Sequence, residues 1–271
     1  MDELAVGTTF ADHVIHALAG RGAMGIVYRA THLPAEREVA LKVIAPEHSQ
    51  DREFRLRFQR EYRAEASIHH PNVMPVYSAG AKDGRLYVTM RYVRGTDLEQ
   101  LLARGGRLPP ALAARLVAQI ADGLDAAHAR GIVHRDVKPA NVLIEGEPGS
   151  MHAILTDFGL MKNLKSRVNL TMSGSFVGTC NYAAPEQLLG TGVDARTDVY
   201  ALGCVLYQTV TGNVPFPRPS SAATMFAHLE APVPEAPGPL AEVIARAMAK
   251  DPAERFQSAR ELGRAALDAA G

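Results

Sequence analysis

The sequence lacks an excess of either charge, has few cysteines and contains no long apolar run. Each lack argues against a class of protein. Lys plus Arg number 29 and Asp plus Glu number 29, so the formal net charge is zero. That weakens any reading built on bulk attraction to nucleic acid or an anionic membrane. The two cysteines, Cys180 and Cys204, lie far apart and in no metal-ligand spacing. They argue against a disulfide scaffold or a zinc ribbon and for a reducing, cytosolic setting. No run reaches the roughly 18 apolar residues of a membrane span. The longest candidate, Val199 to Val210, is too short and carries Tyr207, Gln208 and Thr209. The acidic start, MDELAVGTTFADHV, has no basic region leading into an apolar stretch, and so no secretory signal. Neither a repeat nor a low-complexity tract is visible.

What is present is an ordinary globular composition. The 271 residues are 47% hydrophobic and 21% charged, enough to bury one large core or two small ones. Residues 14–93 read as strand-rich. Strands are predicted over Val27–Ala30, Val39–Ile44 and Leu86–Met90, with turns at Pro34–Glu36 and Asp83–Gly84. A helix from about Asp51 to Ser67 interrupts them, with Phe54, Phe58, Tyr62 and Ile68 at roughly helical spacing. From about residue 94 helices dominate. Pro109–Pro110 opens a long one and Gly131 closes it. Asp198 is placed as the N-cap of an almost wholly apolar helix from Val199 to about Thr211, expected at the centre of its lobe. Two shorter helices are predicted near 239–250 and 258–269. The fold class is α+β and bilobal: an antiparallel-sheet lobe with one main helix, joined near Arg91–Gly95 to a larger helical lobe. The boundaries are an extension 1–12, a small lobe 13–93 and a large lobe 94–271, and ligands often bind between such lobes.

Gly20-Arg21-Gly22-Ala23-Met24-Gly25 fits G-x-G-x-x-G. Alone this is a weak signal, and a chance glycine turn accounts for it equally well. Its context is strand–loop–strand, whereas a dinucleotide fold leads from strand into helix. The result is a flap that can lie over phosphates, because glycine lets backbone N–H groups approach closely. No Gly-Lys-Ser/Thr follows, which excludes a Walker loop. Lys42 shares a strand face with Ala40 beyond this flap. A lysine on such a face needs an anion or a carboxylate. Glu61 and Glu65 both fall on the inward stripe of the helix, and spacing does not choose between them.

His134-Arg135-Asp136-Val137-Lys138-Pro139-Ala140-Asn141 follows the long helix. A hairpin, Val142–Ile144 and Ala153–Thr156, then delivers Asp157-Phe158-Gly159. Two carboxylates, an amide oxygen and a lysine gathered by one hairpin suit a divalent metal with phosphate. Each residue singly reads as a loop polar group, but all of them together, with the glycine loop and Lys42, do not.

This set of motifs, in this order, resembles the catalytic domain of bacterial Hanks-type (eukaryotic-like) serine/threonine protein kinases over about residues 13–268. The resemblance implies ATP with Mg²⁺, or Mn²⁺ in its place. It assigns Lys42 to the α- and β-phosphates, and the stretch Arg57–Glu61 favours Glu61 as its partner. Asp157 and Asn141 become metal ligands, Asp136 the acceptor of the substrate proton, and Lys138 the steadier of the γ-phosphate. Adenine would lie among Ala19, Val27, Ala40 and Leu143, behind Gly20, Gly22 and Gly25. Met90 takes the gatekeeper place, with Tyr92 and Val93 as backbone partners. Arg91 departs from the acidic residue frequent there, a departure of little weight where backbone atoms do the binding.

Gly178–Glu186 resembles the end of a Ser/Thr kinase activation segment, with Thr179 directed toward Asp136 and Lys138. Glu186 and Arg255 match a buried structural pair, and Asp198 matches the residue that ties a helix start to the catalytic loop. Thr171 and Ser173, with Ser175 as a further candidate, would be phosphorylated and pair with Arg135. His134 and both cysteines read as packing residues. The arginines of Arg52–Arg63 read as a solvated helix face rather than a nucleic-acid surface. Protein Ser/Thr substrates are implied, with no nucleic acid, no membrane segment in this chain and a homodimer through the small lobes. The setting is cytoplasmic, or the cytoplasmic part of a longer receptor. The rival readings are an ATP-binding scaffold without turnover, a small-molecule kinase of related fold, and a nicotinamide enzyme built on the glycine loop.

Overall fold

The computed structural model describes residues 3–22, 24–49, 51–147, 149–158 and 180–271. They form two units: Met1–His70 with Met74–Arg94, and Pro71–Val73 with Gly95–Gly271. The division falls one residue past the expected boundary. The three residues Pro71–Val73 join the second unit because Val73 bridges to Leu155 and Leu155 N donates to Asn72 O at 2.9 Å.

The first unit is an antiparallel six-stranded sheet: β1 (Thr9–Phe10), β2 (His13–Gly22), β3 (Gly25–His32), β4 (Arg37–Ile44), β5 (Val76–Lys82) and β6 (Arg85–Arg91), in the order β1-β2-β3-β4-β6-β5. Residues assigned to an N-terminal extension thus supply an edge strand. Ala11 and Asp12 both take left-handed φ, 47° and 62°, and so close a two-residue hairpin. Asp83-Gly84 does the same between β5 and β6, where the sequence placed a turn. Alternation sorts the strands' faces. Ile26, Tyr28 and Ala30 of β3 meet Val39, Leu41 and Val43 of β4 in the apolar core of this unit. Helix α1 (Pro46–Ser49) is short, and α2 (Arg52–Ala66) is the main helix. Asp51 caps α2 by accepting from Glu53 N at 2.8 Å and Phe54 N at 3.3 Å. The helix buries Phe54, Phe58, Glu61 and Glu65. Arg52, Arg55, Arg60 and Arg63 stay exposed, as a solvated face requires.

The second unit carries a three-stranded sheet, β7 (Gly95–Asp97), β8 (Val142–Glu145) and β9 (His152–Leu155). Its helices are α3 (Leu98–Gly105), α4 (Pro110–His128), α5 (Pro185–Leu189), α6 (Ala195–Thr211), α7 (Ser221–Glu230), α8 (Ala241–Ala247) and α9 (Ala259–Ala270). Pro110 stands at the first turn of α4, and Gly131, at φ 72°, turns the chain after it. Helix α6 is buried along most of its length, including Val199, Tyr200, Leu202, Cys204, Val205 and Leu206. One expectation is corrected here. Asp198 is not the N-cap of this helix; Asp194 is, accepting from Arg196 N at 2.8 Å. The apolar pattern starts a turn late because Thr197 and Asp198, in the first turn, are buried by polar bonds.

Candidate active site

In the first unit the strand register assembles the expected nucleotide residues on one face. Val27 pairs with Lys42, Lys42 with Val88, and Ala40 with Met90. Side chains of Val27, Ala40, Lys42 and Met90 therefore share the sheet face opposite the apolar core. Ala19 is the extra residue of a bulge between Leu18 and Gly20, and bulges re-aim the chain beside functional sites. Tyr92 and Val93 follow the end of β6, half-buried. Lys42 is 7% exposed, Glu61 7% and Glu65 4%. Both acids of α2 are buried, so burial does not choose between them.

The three glycines of the loop differ. Gly22 pairs with Gly25 across a two-residue connection. Open space surrounds the missing Cβ of Gly20 and of Gly22, whereas a Cβ on Gly25 would overlap the Val43 carbonyl oxygen. Gly25 is thus demanded by the close approach of β4 and needs no phosphate to account for it.

In the second unit the chemistry lies on irregular backbone. Asp136 Oδ2 receives Lys138 Nζ at 3.1 Å and Asn141 Nδ2 at 3.0 Å. Asn141 Nδ2 also donates to Asp136 O at 2.8 Å, so the amide nitrogen is committed and the amide oxygen is left as the donor a cation would use. Thr156 N donates to Asn141 O at 2.9 Å, tying this loop to the strand end that delivers Asp157. Leu143 lies half-buried on β8. Arg135 and Asp157 hold left-handed φ of 62° and 57°. Such non-glycine strain persists only where surroundings enforce it, and it clusters at functional sites.

Those surroundings are visible at Arg135. Asp198, fully buried, accepts from His134 N and Arg135 N, each at 2.8 Å. Gln187 Nε2 donates to Arg135 O at 2.7 Å. His134 accepts from Asp136 N at 3.2 Å through Nδ1, and its Nε2 lies 3.1 Å from Thr156 O, which sets the neutral tautomer. Its ring packs on Phe158 with centroids 4.5 Å apart, and burial lowers its pKa, as suits a packing residue. Arg255 is 1% exposed and uses all five donors: two on the Glu186 carboxylate at 2.8 and 2.9 Å, and three on the carbonyls of Arg196, Lys250 and Ala249. Burial pushes the Glu186 carboxyl up, but the bonds from Arg255 and from Thr197 (2.8 Å) outweigh it and hold it below the usual carboxylate value.

Thr171, Ser173 and Thr179 lie outside the described residues, as do Gly159, Ser175 and Gly178. Among the described residues no three His, Cys, Asp or Glu side chains form a ready metal cage. Asp157 and Asn141 offer one carboxylate and one amide oxygen, hard donors that suit Mg²⁺ sharing its shell with phosphate and water. Cys180 and Cys204 are both buried, and burial pushes the Cys204 thiol up, so Cys204 does not behave as a reactive thiolate. Sequence reasoning passed over His128 and Asp125. His128 Nε2 lies 2.7 Å from Asp198 Oδ2, and their only sequence signal is an Asp–His pair three apart at the end of α4.

The chain belongs to the protein kinase domain family, whose sequence model matches residues 13–263. Serine/threonine-protein kinase PknD of Mycobacterium tuberculosis is 44% identical over 97% of this chain and 40% of its own length. PknH of Mycobacterium bovis, also named a serine/threonine-protein kinase, is 41% identical over 97% of this chain and 45% of its own. The chain thus spans under half the length of these relatives. The crystal structure of the Mycobacterium tuberculosis PknI kinase domain is 35% identical, covers 98% of this chain and all of that one, and has a TM-score of 0.76. The fold is the protein-kinase fold, a curled antiparallel-sheet lobe and a helical lobe.

Proposed function

We propose that this chain is the catalytic domain of a serine/threonine protein kinase, moving the γ-phosphoryl of ATP to Ser or Thr hydroxyls of proteins. The observation that carries the reading is the loop in which one oxygen of Asp136 receives both Lys138 and Asn141. Two donors on that oxygen fix the carboxylate's rotation, as a proton acceptor requires. The substrate oxygen bonds to the γ-phosphorus while the bond to the ADP oxygen breaks, and the hydroxyl proton passes to Asp136. Lys138 steadies the transferring phosphoryl. Lys42 holds the α- and β-phosphates, and Glu61 orients Lys42. Gly20 and Gly22 admit the phosphates, with Gly25 completing the loop. Ala19, Val27, Ala40, Met90, Tyr92, Val93 and Leu143 receive adenine. Asp157 and Asn141 would hold Mg²⁺, or Mn²⁺ in its place, which when bound neutralises phosphate charge.

Thr179 orients the substrate hydroxyl, and phosphorylated Thr171 and Ser173 pair with Arg135. Arg135 Nε is buried without a hydrogen-bond partner among the described residues, which a phosphate would supply. The setting is cytoplasmic, where ATP is available, and the small lobes pair into a homodimer, checked by light scattering across concentrations. The names of the relatives favour turnover on proteins over a scaffold or a small-molecule kinase.

The test is autophosphorylation with ATP and Mg²⁺ followed by peptide mass spectrometry, with Asp136→Asn alongside. Phosphate on Thr171 or Ser173 in the wild type and none in the variant is the expected result. ATP binding without any phosphate transfer would replace this reading with a scaffold.

A further inference from the structure

We propose that Asp125 and His128 are positioning residues that tie the seating of helix α9 to the placement of the catalytic loop, acting on Asp136 through Asp198. The proposal rests on the kinase reading of Asp136, but its first test does not.

Ala259 and Arg260 open α9, and a helix leaves its first N–H groups without intrahelical partners. Ser258 satisfies one further in, accepting from Glu261 N at 3.1 Å. Asp125 of α4 takes the first two: Oδ1 accepts from Ala259 N at 3.1 Å and Oδ2 from Arg260 N at 3.4 Å. The same Oδ1 faces His128 Nδ1 at 3.7 Å, too long for a hydrogen bond, and that nitrogen is buried with no hydrogen-bond partner among the described residues. The other ring nitrogen meets Asp198 at 2.7 Å, and Asp198 holds the amides of His134 and Arg135, directly before Asp136. Arg135 keeps its left-handed backbone through this grip.

The chain of contacts is therefore α9 amides, Asp125, His128, Asp198, catalytic loop. Burial pulls the imidazole of His128 down, but Asp125 and Asp198 outweigh it and carry it to about 9, so it is charged at neutral pH. The charged groups facing it are Asp125 on its own helix and Asp198 on α6; Arg260 flanks Asp125 at 4.0 Å. With α9 seated, its amides hold Asp125 back from the imidazole. With α9 displaced, Asp125 closes on Nδ1 or turns to water. Either change alters the positive charge that His128 presents to Asp198, and so the grip on the loop.

The experiment is amide hydrogen exchange on the full chain, with steady-state phosphotransfer to a Ser/Thr peptide in parallel. Asp125→Asn keeps the shape and removes the charge. It should speed exchange at His134 and Arg135 about tenfold and leave Leu202–Leu206 of α6 protected. In turnover it should lower kcat, referred to the folded fraction measured by circular dichroism so that loss of folded enzyme does not mimic the effect, about tenfold with KM for ATP within about twofold. Gly263→Leu displaces α9, since a Cβ there already lies 3.0 Å from Ala118 Cα. It should loosen the same two amides, and the double variant should loosen them no further than the stronger single change, because both act on one path. His128→Gln, which keeps an N–H for Asp198 but not the link to Asp125, should make the loop amides indifferent to Gly263→Leu. Unchanged exchange at His134 and Arg135 in Asp125→Asn, or effects of the two variants that multiply, overturns the proposal. A wild type that transfers no phosphate overturns the kinase reading instead, while exchange still decides the relay.

Discussion

In the first unit Val27, Ala40, Lys42 and Met90 ride on paired strands, and backbone register alone brings them to one face. In the second unit Asp136, Lys138 and Asn141 ride on a loop whose shape is set by side chains far away in sequence, Asp198 and Gln187 above all. A register error in a sheet moves every residue together, so the first arrangement is robust to single side-chain changes. A loop held by buried carboxylates depends on each of them. The left-handed backbone of Arg135 and of Asp157 lies in the second unit, where local preference opposes the active shape and tertiary bonds enforce it.

The contrast can be broken hardest at Asp198. Asp198→Asn keeps one oxygen, which can still accept from Arg135 N, but puts an amide nitrogen that cannot accept where the His134 amide and His128 Nε2 are held. Phosphotransfer should fall about 100-fold or more. Urea unfolding should show a loss of about 3–5 kcal/mol, as for one side of a buried ion pair. Arg255→Ala should destabilise by a similar 3–5 kcal/mol or so, because Glu186 remains buried with its charge uncompensated. Its ATP affinity, measured by titration at low temperature where the variant stays folded, should remain close to the wild type.

In the first unit the contrast is sharpened by substituting the loop glycines one at a time. Gly25→Ala meets the Val43 carbonyl and should destabilise by about 1–3 kcal/mol, read from denaturant midpoints. Gly20→Ala and Gly22→Ala meet nothing, so stability should stay within about 1 kcal/mol. Their effect should appear in weaker ATP binding.

The smallest effect separates the units by pH. His128 has a folded value of about 9, above the unfolded value of roughly 6.5. Its contribution to stability is therefore complete below the unfolded value and is lost as pH rises through the folded one. Between those limits the folded state binds more protons, so stability should fall with pH, by at most about 1.4 kcal/mol per unit. His128→Gln should flatten the denaturation profile from pH 7 to 9 on this account. Substitutions on the sheet face of Lys42 should leave that slope in place.

Legibility followed the same divide. The shared face of Ala40 and Lys42, the Asp83-Gly84 turn and the helix capped by Asp51 were readable because each rests on short-range periodicity or local turn chemistry. β5, with the sequence VYSAGAK, was not, since small and polar residues give a strand little pattern. The start of α6 was misread because a buried aspartate before an apolar run looks like a cap. Gly25 looked like its loop neighbours, and only the approach of β4 distinguishes it. Asp125 and His128 gave no usable signal, because their partners stand as many as 135 residues away.

The sequence by itself determined the long helices, the shared face of Ala40 and Lys42 and the inventory of groups that phosphoryl transfer needs. Those follow from backbone geometry with periods of two and 3.6 residues and from side-chain chemistry, both of which are local. The tertiary structure alone decided which carboxylate caps α6 and which ones face a buried histidine, whereas the loop clamp at Asp198 was legible only through the family resemblance. A buried charge takes its role from whatever partners folding brings within hydrogen-bonding distance, and the distance along the chain carries no record of them.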